Sequence, residues 1–493
     1  MNFYDGKLGI FNFAASGSAY VYNPGLKANL SKDPTYGLYT ITFDDGTIYH
    51  FGLTLKIASI TDRYGNSLSF TYNLDNELTT VTDTLGRNIA YTYNDSSRLQ
   101  KVTDFNGRTV ELAYFGLSET GGSVSDLKSV TITSGTGTNA LSKTTSFTYD
   151  SSHNIITLTD AKGQVYVQTT YDTNNRATSQ IYGSGTVNYS YTLSGSSVYT
   201  NDVTNANGVH TRYTYDSNGN TVEREIFDST GTGETVYNYQ FDSNARLAKT
   251  ILPKGNGTTY KYDTRGNIIE QREKANANAV DGTGDLVTTY QYDGVYDVPV
   301  KVVLPNGLEK DFTLDSSGNI LSETATGILN ADNTTYTTTT NYTYDTNGQL
   351  TRKTDPEGNV TSYTYGSGQL LMLTHGSGDT IQETFTYDDY GNLLSSTDGE
   401  GKTKTLTYTP FNLLATETTT EGIETRFTYD ANNNKTHEEM YSPTGSAIGA
   451  IDYEYDILDH LTKKTEHIDA TSSKVITMIY DGNGNLLTTQ ENT

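Results

Sequence analysis

The stretch FTYDDYGNLLSSTDGEGKTKTLTY, residues 385–408, decides the fold. Phe385 and Tyr387 alternate with Thr386 and Asp388, the period-two pattern of a half-buried strand. The run DDYGN follows, with Gly391 where a turn needs a positive φ. Asn392 to Asp398 reads as a second short strand, GEGK with Gly399 and Gly401 as a second turn, and KTLTY starts the cycle again. Each cycle is strand, turn, strand, turn: a hairpin feeding the next hairpin.

Outward from this stretch the same pattern recurs. Its tyrosine reappears at Tyr72, Tyr93, Tyr149, Tyr171, Tyr215, Tyr262, Tyr292, Tyr344, Tyr429, Tyr455 and Tyr480, with degenerate copies at Tyr191, Phe241, Leu314, Tyr365 and Tyr408. Between positions 344, 365, 387, 408 and 429 the steps are 21, 22, 21 and 21. A fixed period of this size marks one supersecondary unit copied and stacked. The structural motif positions are Tyr149, Asp150, Tyr171, Asp172, Tyr215, Asp216, Gly219, Tyr262, Asp263, Gly266, Tyr344, Asp345, Gly348, Tyr387, Asp388, Gly391, Tyr429, Asp430, Tyr480, Asp481 and Gly484. Each aspartate is expected to cap its own turn by accepting backbone N–H bonds. Each tyrosine is expected to bury its ring while its hydroxyl reaches water or a backbone group.

One feature resists a flat strand. In RLQKVTD, Arg98 to Asp104, Leu99 and Val102 are three apart and would point to opposite faces. Either a bulge lies there or both faces are buried. Helix signals are nearly absent, and Asn-Gly pairs at Asn106, Asn207, Asn306, Asn347 and Asn483 add turn signals. Residues 1–55 hold no clear copy of the motif and read as a lead-in or capping β segment; 56–493 are repeats. Insertions near 116–141, 274–286, 328–341 and 442–451 read as long loops or extended hairpins. A long ribbon of hairpins cannot stay flat, because strand twist coils it. A spiral or barrel-like sheet is expected, with rod or hollow shell left open.

Composition narrows the function. Of 493 residues, 34% are apolar counting tyrosine, and exchanging the 40 tyrosines for the 46 glycines in that count gives about 35%, against roughly 45–50% in ordinary domains. A thick aliphatic core is not expected, and tyrosine must supply much of the buried area. The net charge of −25 repels nucleic-acid backbones and offers no basic cluster for anionic membranes. Without cysteine there can be no disulfide or thiolate chemistry. No signal peptide and no apolar run of membrane-spanning length is visible, so neither nucleic acid nor membrane insertion is expected.

A search for catalytic chemistry finds none. His50, His153, His210, His375, His437, His460 and His467 show no metal-ligand spacing, and no nucleophile elbow or phosphate loop is present. The turns DSNGN at Asp216 to Asn220 and DGNGN at Asp481 to Asn485 hint at calcium. They lack an EF-hand's spaced acids and terminal glutamate, and read as Asx turns. No cofactor, metal or enzymatic activity is expected.

The consensus carried by YTYDTNGQLTRKTDPEGNVTSYTY from Tyr342, FTYDDYGNLLSSTDGEGKTKTLTY from Phe385 and ITDRYGNSLSFTYN from Ile60 resembles the YD repeat of the Rhs (rearrangement hot spot) family, over about residues 55–493. Such repeats occur in bacterial polymorphic toxins, C components of insecticidal toxin complexes, wall-associated proteins and teneurins. The resemblance implies an all-β spiral wound into a hollow cocoon, in toxins around a C-terminal effector, and an extracellular, secreted or wall-associated location. It also implies a DPxGL self-cleavage motif, which DPTYGL at Asp33 and DPEGN at Asp355 do not match, so no catalytic aspartate is carried over. The chain stops at LLTTQENT inside a repeat, which predicts an excised piece of a longer polypeptide whose effector lies beyond it. Two functions are expected: a non-catalytic shell that encloses and delivers a C-terminal toxin, or a surface adhesion or carbohydrate-binding module.

Overall fold

The computed structural model describes residues 2–4, 10–17, 19–23, 25–135, 140–195, 197–228, 234–329, 335–376, 381–468 and 472–492. Among these residues the chain is all-β, without a helix. Threonine and tyrosine, the dominant residues, suit pleated strands. Two compact units divide the chain, 1–88 with 236–382, and 89–235 with 383–493. Each unit therefore combines an earlier and a later stretch.

Within each stretch strands pair antiparallel in sequence order. In the first unit the ladder runs from Ala28–Lys32 to Leu78–Thr82 and from Leu247–Ile251 to Gln369–His375. In the second it runs from Leu99–Thr103 to Thr221–Phe227 and from Leu393–Thr397 to Leu486–Asn492. Three strands of the ladder, beginning at Ala28, Tyr39 and Ile48, thus lie inside the segment 1–55.

The repeating turn has one geometry. Asp388 N donates to Asn392 O at 3.0 Å, Gly391 N donates to Asp388 O at 3.0 Å, and Gly391 has φ 87°. This is a three-residue loop that ends in a left-handed residue. A bulge follows: Thr386 pairs with Ser395 and Tyr387 with Leu393, which skips Leu394. The same irregularity resolves the Leu99 and Val102 spacing. Thr92 pairs with Lys101 and Tyr93 with Leu99, which skips Gln100. Leu99 and Val102 then share the face of Tyr91 and Tyr93. Burial on both faces is not needed.

The bulge sorts the sheet into two faces. One carries the tyrosines with the leucines, valines and isoleucines. The other carries cross-strand hydroxyl pairs such as Thr170 with Thr178, Thr343 with Thr351, Thr407 with Thr416 and Thr428 with Thr436, at 2.7–3.2 Å.

Few side chains are fully covered. Phe13, Ala28, Leu30, Ile41, Phe115, Val167 and Ala277 are the buried hydrophobics among the described residues. Four of them, Phe13, Ala28, Leu30 and Ile41, cluster where Phe3 and Tyr20 fold over the first ladder strands. The accessible surface is 28022 Å² for 54.0 kDa. A compact chain of that mass exposes about 18,000 Å². On the apolar face, side chains such as Tyr91, Tyr93, Leu99 and Val102 are half-buried.

The longer connections vary. Leu127–Ser134 pairs with Leu141–Tyr149, and Ile320–Leu329 with Thr335–Tyr344; residues 136–139 and 330–334 lie outside the described set. The 274–286 loop is pinned by buried Lys274, whose Nζ is 3.0 Å from Asp281, and by Arg272, 3.2 Å from Asp285. Around 442–451, Ser442 N bonds Ser446 O at 2.8 Å in a five-residue turn between strands Lys435–Tyr441 and Ala447–Tyr455.

Candidate functional site

The chemistry of the repeat is concentrated in its turns. Asp216 shows how. Its Oδ1 accepts from Asn218 N at 2.8 Å and Asn220 N at 2.9 Å, and its Oδ2 accepts from Asn220 Nδ2 at 2.9 Å. Asp150, Asp263, Asp388 and Asp481 repeat this with Asn154, Asn267, Asn392 and Asn485, as does Asp430 with Asn434. Asp172 uses Arg176, and Asp345 accepts two backbone N–H bonds at 2.9 Å. Gly219, Gly266, Gly348, Gly391 and Gly484 hold φ between 76° and 91° at the fourth turn position. The carboxyls of Asp150, Asp172, Asp216, Asp263 and Asp481 titrate low. The Asn485 side-chain bond, with backbone N–H bonds, outweighs burial and draws Asp481 down to about 2. Side-chain bonds from Asn154, Arg176 and Asn220 likewise lower Asp150, Asp172 and Asp216. Both turns with a calcium-like sequence are therefore filled by their own amides. Among the described residues no three His, Asp or Glu side chains group to hold a metal ion.

The tyrosines tie each hairpin to the one before it. Tyr149 donates to Leu127 O at 2.9 Å, Tyr171 to Ile155 O at 2.9 Å, and Tyr262 to Leu247 O at 2.7 Å. Tyr429 donates to Leu414 O and Tyr480 to Leu461 O, both at 2.8 Å. Burial pushes the phenols of Tyr149, Tyr262 and Tyr429 up. Tyr215, Tyr344 and Tyr387 stand at the same register position, opposite Thr221, Leu350 and Leu393.

The earlier and later stretches of each unit meet through these turns. In the first unit Arg265 lies between two carboxylates that are 7% exposed: its Nη2 is 3.1 Å from Asp44 and its Nε 3.0 Å from Asp297. Tyr22 donates to Asp44, and Lys27 to Asn267. Burial, helped by the neighbouring Asp44 carboxylate, pushes Asp297 up. Beside this cluster, Tyr64 donates to Asn319 and covers Gly348, and Tyr296 covers Gly318. Arg63 stacks on both rings, 5.0 Å from the Tyr64 centroid and 5.5 Å from that of Tyr296. Next to them a groove of about 850 Å³ is lined by Asp62, Asp83, Arg87, Asp345, Gln349 and Tyr365.

In the second unit Arg108 and Phe105 lie against Tyr390. Lys162 Nζ is 2.8 Å from Asp459 and 3.4 Å from Asp430. Asn432 Nδ2 donates to Asp160 at 2.7 Å and Asn207 Nδ2 to Asp481 at 2.6 Å. The contacting residues are 268–297 apart in sequence.

Sequence reasoning named the repeat positions but not these meeting points. A signal was present: Asn412, Asn433 and Asp459 stand in their turns where other copies carry glycine.

Of the seven histidines, five pair with aspartates of the second unit. His153 meets Asp126, His210 meets Asp202, His460 meets Asp456, and His437 and His467 share Asp452 at 2.6 and 2.7 Å. These are cross-strand or turn pairs. None adjoins a buried pocket of convergent polar groups.

Three stretches, 72–109, 344–380 and 387–424, match the family model described as RHS Repeat. No curated protein matches the chain. Among solved structures, the TcdB2-TccC3 complex is similar at TM-score 0.56 and 12% identity, over 94% of this chain and 31% of that one. The complex of TcdB2-TccC3 with Cdc42 gives 0.57 and 12%, over 94% and 30%. A Photorhabdus luminescens Tc holotoxin pore gives 0.56 and 11%, over 94% and 30%. The chain thus spans about a third of the length of the structures it matches. The turn motif, the family match and the shared fold converge: this chain carries RHS repeats at 72–109, 344–380 and 387–424 and shares the fold of the TcdB2-TccC3 structures.

Proposed function

We propose that this chain is a wall segment of an extracellular shell that encloses and delivers an effector carried C-terminally in the same polypeptide. The observation that carries the reading is the apolar face of the sheet. Its side chains, such as Tyr91, Tyr93, Leu99 and Val102, are only half-buried, so the face is available to line an enclosure. Its fold, shared with TcdB2-TccC3 structures, supports the same role. In this reading the wall does no chemistry. Its turn carboxylates and tyrosine hydroxyls are committed to holding hairpins together.

Protease protection tests it. The chain is produced with its native downstream sequence and digested in buffer and in denaturant. Enclosure predicts a downstream polypeptide that survives in buffer and is degraded once the sheet unfolds. Equal degradation in both overturns it.

A surface-adhesion role is the rival. It draws on exposed tyrosines such as Tyr36 and Tyr199, at 71% and 49%. Saturable binding on a glycan array, lost when both are changed to serine, would favour it.

A further inference from the structure

The fourth residue of each turn adopts the left-handed conformation, for which glycine is the natural choice. Four turns of the later stretches instead carry Ala245, Asn412, Asn433 and Asp459 there, at φ 59°, 61°, 75° and 63°. A side chain at such a φ is uncommon even for Asp and Asn. Nothing in the turn requires it, because Gly391 and Gly484 serve the same geometry at φ 87° and 81°.

Two of them, Asn433 and Asp459, face a lysine from the earlier stretch of their own unit: Lys143 donates to Asn433 Oδ1, and Lys162 Nζ is 2.8 Å from Asp459 Oδ1. Where Tyr64 of the earlier stretch presents its ring, the position is Gly348. A β-carbon on Gly348 would stand 2.2 Å from the Tyr64 ring.

We propose that in the turns Asp430–Asn434 and Asp456–His460 the fourth residue is a specificity-determining position at which the two stretches of the second unit recognise each other, Asn433 and Asp459 each meeting a lysine tip. The YD motif would then build the hairpins, and this position would select which hairpins stack. The surroundings favour it. Lys162 is 18% exposed, and Asn432 and Asn434 donate to Asp459 at 3.1 and 2.6 Å, which fixes the carboxylate towards the lysine. Although burial opposes it, the Asp459 and Asp430 carboxylates hold the Lys162 ammonium above its ordinary range. A paired, partly desolvated charge discriminates against wrong partners more strongly than it stabilises the right one. The inference does not depend on what the sheet encloses.

Asp459→Gly tests it by sign. If the position served only its turn, glycine at φ 63° would relieve strain and raise the thermal midpoint. Recognition predicts a lower midpoint instead. A reporter of stacking is available because the chain has no cysteine. A β-carbon on Gly482 would lie 3.0 Å from Ala206 Cβ, so Ala206→Cys with Gly482→Cys should cross-link across the same contact. In that background Asp459→Gly and Lys162→Met should each slow cross-linking at least threefold, and the double variant should be no slower than either. Lys402→Met, at a lysine 56% exposed, should change nothing. A midpoint raised or unchanged by Asp459→Gly, or a cross-linking rate it leaves intact, overturns the proposal.

Discussion

Gly348→Ala should destabilise the first unit far more than the same change at Gly358, ten residues away. Both glycines are left-handed, at φ 76° and 86°. A methyl group at Gly358 meets nothing within 4 Å, whereas at Gly348 it lands 2.2 Å from Tyr64 Cζ. The conformational cost is common to both, about 1–2 kcal/mol. Gly348→Ala adds the displacement of a packed ring, about 1–3 kcal/mol. It also breaks the Tyr64 hydroxyl bond to Asn319, about 1 kcal/mol. The totals are about 3–6 against about 1–2 kcal/mol. At about 2–4 °C per kcal/mol for a body of this size, Gly348→Ala should melt about 5–15 °C below Gly358→Ala. Circular dichroism melts measure this directly. Adding Tyr64→Ala to Gly348→Ala should recover the clash component, so that the two losses are not additive. Equal midpoints for the two glycine variants would refute a ring seated on Gly348.

Three more outcomes are expected. Tyr262→Phe removes a 2.7 Å bond and leaves the Leu247 carbonyl unpaired, so its denaturation midpoint should drop by the equivalent of about 1 kcal/mol, while Tyr36→Phe at the exposed surface leaves it unchanged. Arg265→Met removes the cation between Asp44 and Asp297 and leaves only Lys27, 3.8 Å from Asp297; a loss of about 3–5 kcal/mol is expected, read as a lower melt and faster proteolysis within residues 10–45. Acid should act through the turn aspartates. Asp481 titrates near 2 in the fold against 3.8 ordinarily, so its contribution is complete above about pH 4 and is lost as pH falls through 2. An NMR titration of its carboxyl should show that low midpoint, and Asn485→Ala should raise it.

Period, turn chemistry and fold class were legible in the sequence because each depends on neighbours in the chain. The run from Phe385 to Tyr408 contains both strands and both turns of one repeat, and its aspartate, glycine and tyrosine positions are local requirements. The Leu99 and Val102 spacing left bulge and two-sided burial equally open. Pairing with the adjacent strand decided for the bulge, since only a partner shows which residue is skipped.

What remained illegible is everything that joins residues 240–300 apart. Asp459 looks like a worn copy of a glycine until Lys162 is placed against it. Tyr64 looks like any turn residue until Gly348 lies beneath it. A repeat determines its own hairpin because the turn closes over five residues. It does not determine which distant hairpin it meets, because that choice depends on how twist accumulates along the whole ladder. The sequence by itself determined the unit. Tertiary structure alone decided which repeats of the earlier and later stretches meet, because those contacts join turns far apart in the chain.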